Sequence, residues 1–141
     1  DSAFSQVIHE CSSAPRHGQN GTWIVPEMIE AYETLHSLGH AHSVEAYQNG
    51  ILVGGLYGVS VGGVFCGESM FAKVSDASKV ALCVLVEHLK AWEFDFIDCQ
   101  VPTNHLKSLG AKEVSREFFL QRLSISSLPV SSEMYWGMRN F

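Results

Sequence analysis

Ser43-Val44-Glu45-Ala46-Tyr47-Gln48-Asn49-Gly50-Ile51-Leu52-Val53-Gly54-Gly55-Leu56-Tyr57-Gly58-Val59-Ser60 is the stretch that decides the architecture. Asn49-Gly50 tolerates positive φ at both central positions of a type I′ turn, so the two runs it joins read as an antiparallel hairpin. Gly62-Gly63 repeats the device and predicts a third strand ending near Phe65-Cys66-Gly67-Glu68-Ser69. Gly54, Gly55 and Gly58 interrupt the middle strand, where glycine marks a bulge or the close approach of a ligand or another backbone. Something is expected to sit against that strand.

Working outward, Phe4, Val7 and Ile8 recur at helical spacing over residues 2–11, and residues 15–21 break the periodicity as a loop. A second helix opens at Pro26, buries a stripe of Met28, Ile29, Tyr32, Leu35 and Leu38, and is capped by Gly39. Beyond the meander, Asp76 is placed to cap a long helix reaching Trp92. Its Val80, Val84, Leu85 and Leu89 are apolar on more than one face, as in a helix laid across a sheet and covered on its other side. Residues 94–101 read as a short strand, 103–109 as a short helix closed by Gly110, and 112–123 as a last element with a strand among the options. The Ser-rich tail around Pro129 is expected to be irregular, with Tyr135, Trp136 and Phe141 available to dock it. This order gives an α+β sandwich around one mainly antiparallel sheet flanked by helices. It is the order used by acyltransferases of the GCN5-related N-acetyltransferase (GNAT) type, so residues 1–141 are read as a single GNAT-like domain.

Composition narrows the function classes. The chain has 141 residues, 46% of them apolar, enough for one domain with a core and against disorder, coiled coil or collagen. Nine Lys and Arg face 15 Asp and Glu for a net charge of -6, so no global basic surface draws it to nucleic acid and any such contact must be local. Four cysteines without a C-x-x-C read as reduced core thiols of a cytosolic protein. No apolar run reaches the roughly 18 residues of a membrane helix. Residues 1–10 lack the pattern of a signal peptide, and Asp1 in place of Met points to a chain cut from something longer or processed.

Two carboxylates sit in apolar surroundings. In Phe96-Ile97-Asp98-Cys99-Gln100 a strand would put Asp98 and Gln100 on one face and Ile97, Cys99 and Val101 on the other. Asp98 is then either a functional group or a strand end bonding a neighbouring turn. Glu68, at the end of the meander, either holds a cationic group or lies at a solvated edge. His36, His40 and His42 have no carboxylate or Cys at ligand spacing beside them, so no metal is expected. Cys66, Cys83 and Cys99 stand in contexts that suit buried, inert thiols. GNAT enzymes cradle the coenzyme A pyrophosphate on a glycine-rich turn before the central helix. The matching segment here, Ala72-Lys73-Val74-Ser75-Asp76-Ala77-Ser78-Lys79, has no glycine, which argues against coenzyme A as acyl donor, and no cofactor is expected.

Several runs in order carry a closer resemblance. Gly21-Thr22-Trp23-Ile24, Leu35-His36, Gly39-His40-Ala41-His42-Ser43, Leu52-Val53-Gly54-Gly55-Leu56-Tyr57-Gly58, Phe65-Cys66-Gly67-Glu68-Ser69-Met70-Phe71, Ala77-Ser78-Lys79, Ile97-Asp98-Cys99-Gln100 and Ser108-Leu109-Gly110-Ala111 resemble the bacterial leucyl/phenylalanyl-tRNA–protein transferases across residues 4–123. The resemblance implies a cytoplasmic, monomeric aminoacyltransferase that takes Leu, Phe or Met from aminoacyl-tRNA and joins it to the N-terminal Arg or Lys of a protein, marking it for degradation. It places the catalytic pair on Asp98 and Gln100 and an acidic substrate contact on Glu68. The apolar pocket for the aminoacyl side chain falls on Leu56, Phe65, Leu82 and Leu85, and aromatics that meet the tRNA 3′ adenosine or the acceptor on Trp23 and Tyr32. The family's N-terminal domain has no counterpart in this chain. An α-amine of pKa about 7.7 to 8.0 needs no strong base, so Gln100 is expected to orient the amine, with Asp98 polarising its carboxamide. The glycine-broken middle strand is expected to offer N–H groups to the tetrahedral oxyanion. Two other classes stay open: another GNAT-type N-acyltransferase, and a non-catalytic domain that recognises basic N-termini.

Overall fold

The computed structural model describes residues 1–15, 22–126 and 136. The predicted meander is its centre: β1 (Ala41–Gln48), β2 (Ile51–Val61) and β3 (Val64–Ala72) pair antiparallel. A short β4 (Phe96–Asp98) joins parallel to β3, completing the order β1-β2-β3-β4. Asn49 and Gly50 have φ of 52° and 77°, the left-handed pair that a type I′ turn requires.

Alternation along the strands sorts the core into two layers. On one face, α1 (Phe4–Ser13) buries Phe4, Val7, Ile8 and Cys11 against Ala41, Tyr57 and Phe71, with α2 (Pro26–Ser37) adding Ile29, Tyr32 and Leu35. On the other, α3 (Ala77–Ala91) sets Ala81, Leu85 and Leu89 on Leu56 and Phe65, with Val44, Met70 and Ile97 packed around them. Each buried Leu or Phe contributes roughly 1.5–3 kcal/mol. After β4 come α4 (Asn104–Ser108), whose first turn is capped by the Thr103 hydroxyl accepting the Leu106 N–H at 3.1 Å, and α5 (Arg116–Ser126). This is an α+β fold built on a mixed, mainly antiparallel sheet with helices on both faces.

The glycines of β2 are explained by that packing. A Cβ at Gly54 would lie 2.5 Å from the Ala77 Cβ and 2.8 Å from its carbonyl carbon, and one at Gly58 would strike the Phe65 ring and the Cys66 carbonyl. What sits against the strand is the first turn of α3 and the neighbouring strand, so the space is closed to a ligand.

Several expectations need correction. Asp76 does not cap α3 with its side chain: it adopts φ 65°, and its carboxylate takes the Lys79 ammonium at 2.6 Å. The outer flank of α3 is uncovered among the described residues, with Val80 and Val84 exposed. No residue of α2 is fully buried, and Leu38 lies outside its stripe because the helix ends at Ser37, leaving Leu38 as the exposed cap residue before the left-handed Gly39. The strand expected over 94–101 shrinks to three residues because Gln100 takes φ 64°, which ends the pleat and leaves Val101 exposed. Residues 112–123 contribute to a helix, not a strand. All four cysteines are free, but Cys83 lies on the exposed flank of α3. Trp136 docks as expected, 6% exposed and stacked on the His42 ring at 4.2 Å. The loop at 16–21, the tail around Pro129, Tyr135 and Phe141 lie outside the described residues.

Candidate active site

The β2–β3 ladder carries an irregularity at its centre. Gly58 pairs with Gly67 while Tyr57 pairs with Ser69, so Glu68 is the extra residue of a β-bulge. The half-buried Glu68 carboxylate accepts a hydrogen bond from the Tyr32 hydroxyl, reaching from α2. Burial, the Glu68 charge and that hydrogen bond together push the Tyr32 phenol well above its usual range, so it remains a donor. The Trp23 ring meets Tyr32 edge-on at 6.4 Å.

The parallel register then brings Asp98 to the same place. Phe65 pairs with Ile97 and Cys66 with Asp98. Since Phe65 and Ile97 pack under α3, Cys66 and Asp98 project from the opposite face, toward Tyr32 and Glu68. The Asp98 Oδ1 accepts the Gln100 backbone N–H at 3.0 Å, an Asx turn that supports the left-handed conformation of Gln100. This revises the expected geometry, because a tight turn brings the pair together where strand alternation was expected, and Asp98 grips the backbone of Gln100 instead of its carboxamide. Asp98 therefore does what the bland alternative described, bonding a neighbouring turn, while its second carboxylate oxygen takes no hydrogen bond among the described residues.

Cys66 and Cys99 flank the carboxylate. Burial pushes both thiols up, and the Asp98 charge pushes them further, joined at Cys66 by Glu68. Both are held as neutral thiols, which removes them as nucleophiles near pH 7. Sequence reasoning missed Cys66 as a neighbour of the two carboxylates; strand alternation from Glu68 was its only signal, and the bulge hid it.

The expected acyl pocket forms a second group. Leu56, Phe65 and Leu85 are 4%, 0% and 1% exposed and pack with half-buried Leu82 where α3 meets the sheet, on the face opposite Asp98. Trp136 belongs to this cluster, touching Phe65 at 5.8 Å and Trp92 at 5.0 Å. Beside Leu85 and Trp136 a cavity of about 90 Å³ reaches Val44 and Ser43. Of the four pocket residues only Leu82 also borders the large groove lined by Asp98 and Gln100. The oxyanion donors expected from the glycine-broken strand are not available there, since β2 is paired on both sides and its glycine positions are packed against Ala77 and Phe65.

The fold also gathers Asp1, His36 and His42, with one possible ligand atom from each within 4.8 Å of the others. No local spacing could show this, because Asp1 comes from 35 residues upstream of His36. The same atoms serve as ties between elements: His36 Nδ1 bonds the Ala41 carbonyl at 2.8 Å, and the buried His42 bridges the Asp1 carboxylate at 2.9 Å and the Gly39 carbonyl at 3.1 Å.

The family model described as leucyl/phenylalanyl-tRNA protein transferase matches residues 1–124. A leucyl/phenylalanyl-tRNA–protein transferase of Sulfurimonas denitrificans is 63% identical over 123 residues, covering 87% of this chain and 54% of the relative. One from Maridesulfovibrio salexigens is 62% identical over 124 residues, covering 87% and 52%, and one from Dechloromonas aromatica 52% identical over 137 residues, covering 97% and 58%. The chain thus spans about half the length of the curated relatives it matches. With identity this high across nearly all of the elements that position Trp23, Tyr32, Glu68, Asp98 and Gln100, the chain belongs to the leucyl/phenylalanyl-tRNA–protein transferase family.

Proposed function

We propose that this chain is the GNAT-like catalytic domain of an enzyme that moves Leu, Phe or Met from aminoacyl-tRNA to the N-terminal Arg or Lys of an acceptor protein, working as a cytoplasmic monomer whose product is a degradation signal. The observation that carries the reading is the convergence of Tyr32, Glu68 and Asp98 on one face of β3 and β4, with Gln100 held just beyond β4 by the Asp98 turn, in a chain of this family.

The chemistry follows from that convergence. The new amide bond forms from the acceptor α-amine to the ester carbonyl carbon, and the ester C–O bond to the tRNA ribose breaks. A fraction of the amine is neutral near pH 7.5, so positioning supplies much of the rate. The Gln100 carboxamide carries an acceptor for the amine, and the Asp98 turn holds that residue in a left-handed conformation that a non-glycine side chain seldom visits. Glu68 supplies the negative charge that draws the acceptor's basic side chain, with Tyr32 fixing its carboxylate. Leu56, Phe65, Leu82 and Leu85 supply an apolar environment for the acyl side chain once it passes Leu82 of α3, at the border of the groove.

The test is transfer of labelled Leu from Leu-tRNA to an Arg-starting peptide by a full-length family member carrying this domain. Asp98→Ala and Gln100→Ala should each lower the rate without loss of circular-dichroism signal. Glu68→Gln should raise the acceptor KM about tenfold or more, the loss of one charge-assisted hydrogen bond. Wild-type rates in both Asp98→Ala and Gln100→Ala would sink the assignment.

A further inference from the structure

Although the chain is acidic overall, its cations are not spread evenly. Five of its nine Lys and Arg, namely Lys90, Lys107, Lys112, Arg116 and Arg122, line one open groove of about 1080 Å³ between α3, β4, α4 and α5. Three of the five are spoken for: Lys90 by Glu87, Lys107 by Glu113 and Arg122 by Asp95. Lys112 and Arg116 are exposed and have no ion-pair partner among the described residues. Two residues beyond Arg116, Phe118 stands 52% exposed in the same groove, while its neighbour Phe119 is turned inward onto Phe96 at 5.8 Å. Asp98 and Gln100 line the groove too.

Unpaired cations beside an exposed aromatic ring suit a flexible polyanion whose bases can be splayed out and stacked. They do not suit the basic N-terminus of the acceptor, which they would repel. Glu68 and Tyr32 provide the opposite environment on the α2 side of Asp98. Resting on the transferase reading, we infer that the groove holds the single-stranded 3′ end of the tRNA, with Lys112 and Arg116 on its phosphates and Phe118 stacked on one of its bases. The two substrates then reach Asp98 and Gln100 from sides of opposite charge, so neither competes for the other's contacts. The chain's own net charge of -6 opposes RNA binding, and against it Lys112 and Arg116 supply a local site of positive charge.

Fluorescence anisotropy of a 5′-fluorescein RNA hairpin, an acceptor-stem duplex with a four-nucleotide 3′ overhang, tests this on the full chain across a KCl series. Lys112→Ala/Arg116→Ala should weaken binding about tenfold at low salt and flatten the slope of log Kd against log salt by roughly 1 to 2, as expected for two lost phosphate contacts. Phe118→Ala should weaken binding about fivefold or more with the slope unchanged, and a blunt hairpin should abolish that difference. Lys79→Ala, a cation outside the groove, should change neither quantity, and Lys112→Arg should keep wild-type affinity. Equal Kd and slope in the double variant would overturn the assignment and give the exposed Phe118 face to a protein partner; a wild-type chain that does not bind the hairpin would overturn it as well. Failure of the transferase reading looks different: the groove variants would alter RNA binding as stated, yet a full-length enzyme would transfer no Leu or Phe.

Discussion

Asp98 shows how much a single strand end can carry. Its Oδ1 fixes the turn at Gln100, its backbone closes the ladder opposite Cys66, and its charge raises two thiols. That last effect can be read without any tRNA. Removing the charge with Asp98→Asn takes away one cause of the upward shift, so the thiolate fraction of Cys66 and Cys99 at a given pH should rise, by up to tenfold for each unit of pKa regained. Iodoacetamide labelling at pH 8.5 followed by mass spectrometry should show both residues alkylated faster in Asp98→Asn, with the exposed Cys83 labelled at the wild-type rate. Unchanged rates at Cys66 and Cys99 would mean that Asp98 does not face them.

The meander is the element on which the site depends, and its glycines work in different ways. Gly50 and Asn49 supply the positive φ of a turn, whereas Gly54 supplies space for α3 to approach. Gly54→Ala places a methyl against both the side chain and the backbone of Ala77, neither of which can swing away, so it should cost about 1–3 kcal/mol and lower the melting temperature by several degrees. Gly67 makes the matched control: its φ is not in the left-handed region, and a Cβ there meets Asp98 O at 3.6 Å and Ile97 Cγ2 at 3.9 Å, ordinary contact distances. Gly67→Ala should melt within about 2 °C of wild type, and similar melting of the two variants would refute the packing account of Gly54. The bulge one residue on is the other functional device of this element, since the extra residue re-aims Glu68 toward Tyr32.

At the scale of the whole molecule, the sheet separates a polar cluster from an apolar one. Tyr32, Glu68 and Asp98 occupy the face that α2 covers, while on the other face Leu56 and Phe65 pack against Leu82 and Leu85 of α3, of which Leu82 also borders the groove lined by Asp98. None of the four can hydrogen-bond through its side chain, so on the proposed transferase reading a full-length enzyme carrying this domain should accept Leu, Phe and Met and reject charged side chains, whose desolvation would go uncompensated. Choice among the accepted three should be shallow, about 1–3 kcal/mol per methylene or less. Because Leu82 alone of the four borders the groove, Leu82→Ala should change the Leu-to-Phe ratio in a competition on one acceptor peptide more than it changes the melting temperature, and an unmoved ratio would place Leu82 outside the acyl path.

Periodicity and turn chemistry were enough to specify α1, α2, the three-stranded meander, α3 and the Thr103-capped α4, because each is decided by local sterics and by which residues share a face. Local pattern marked Asp98 and Glu68 as polar residues among apolar neighbours but left a strand end and a solvated edge open for them, and the roles given to Asp98, Gln100 and Glu68 came from the family resemblance. What local pattern could not decide was how those residues are aimed. Gln100 reaches Asp98 through a left-handed turn that ends the strand early, Glu68 reaches Tyr32 through a bulge visible only once β2 and β3 are paired, and Asp1 reaches His36 and His42 across the sheet edge. Each of these depends on hydrogen bonds or packing between segments far apart in the chain. The same holds for the glycines of β2, whose role was set by the approach of Ala77, and for the five cations of the groove, which are unremarkable in sequence and become one surface only when α3, α4 and α5 fold against β4.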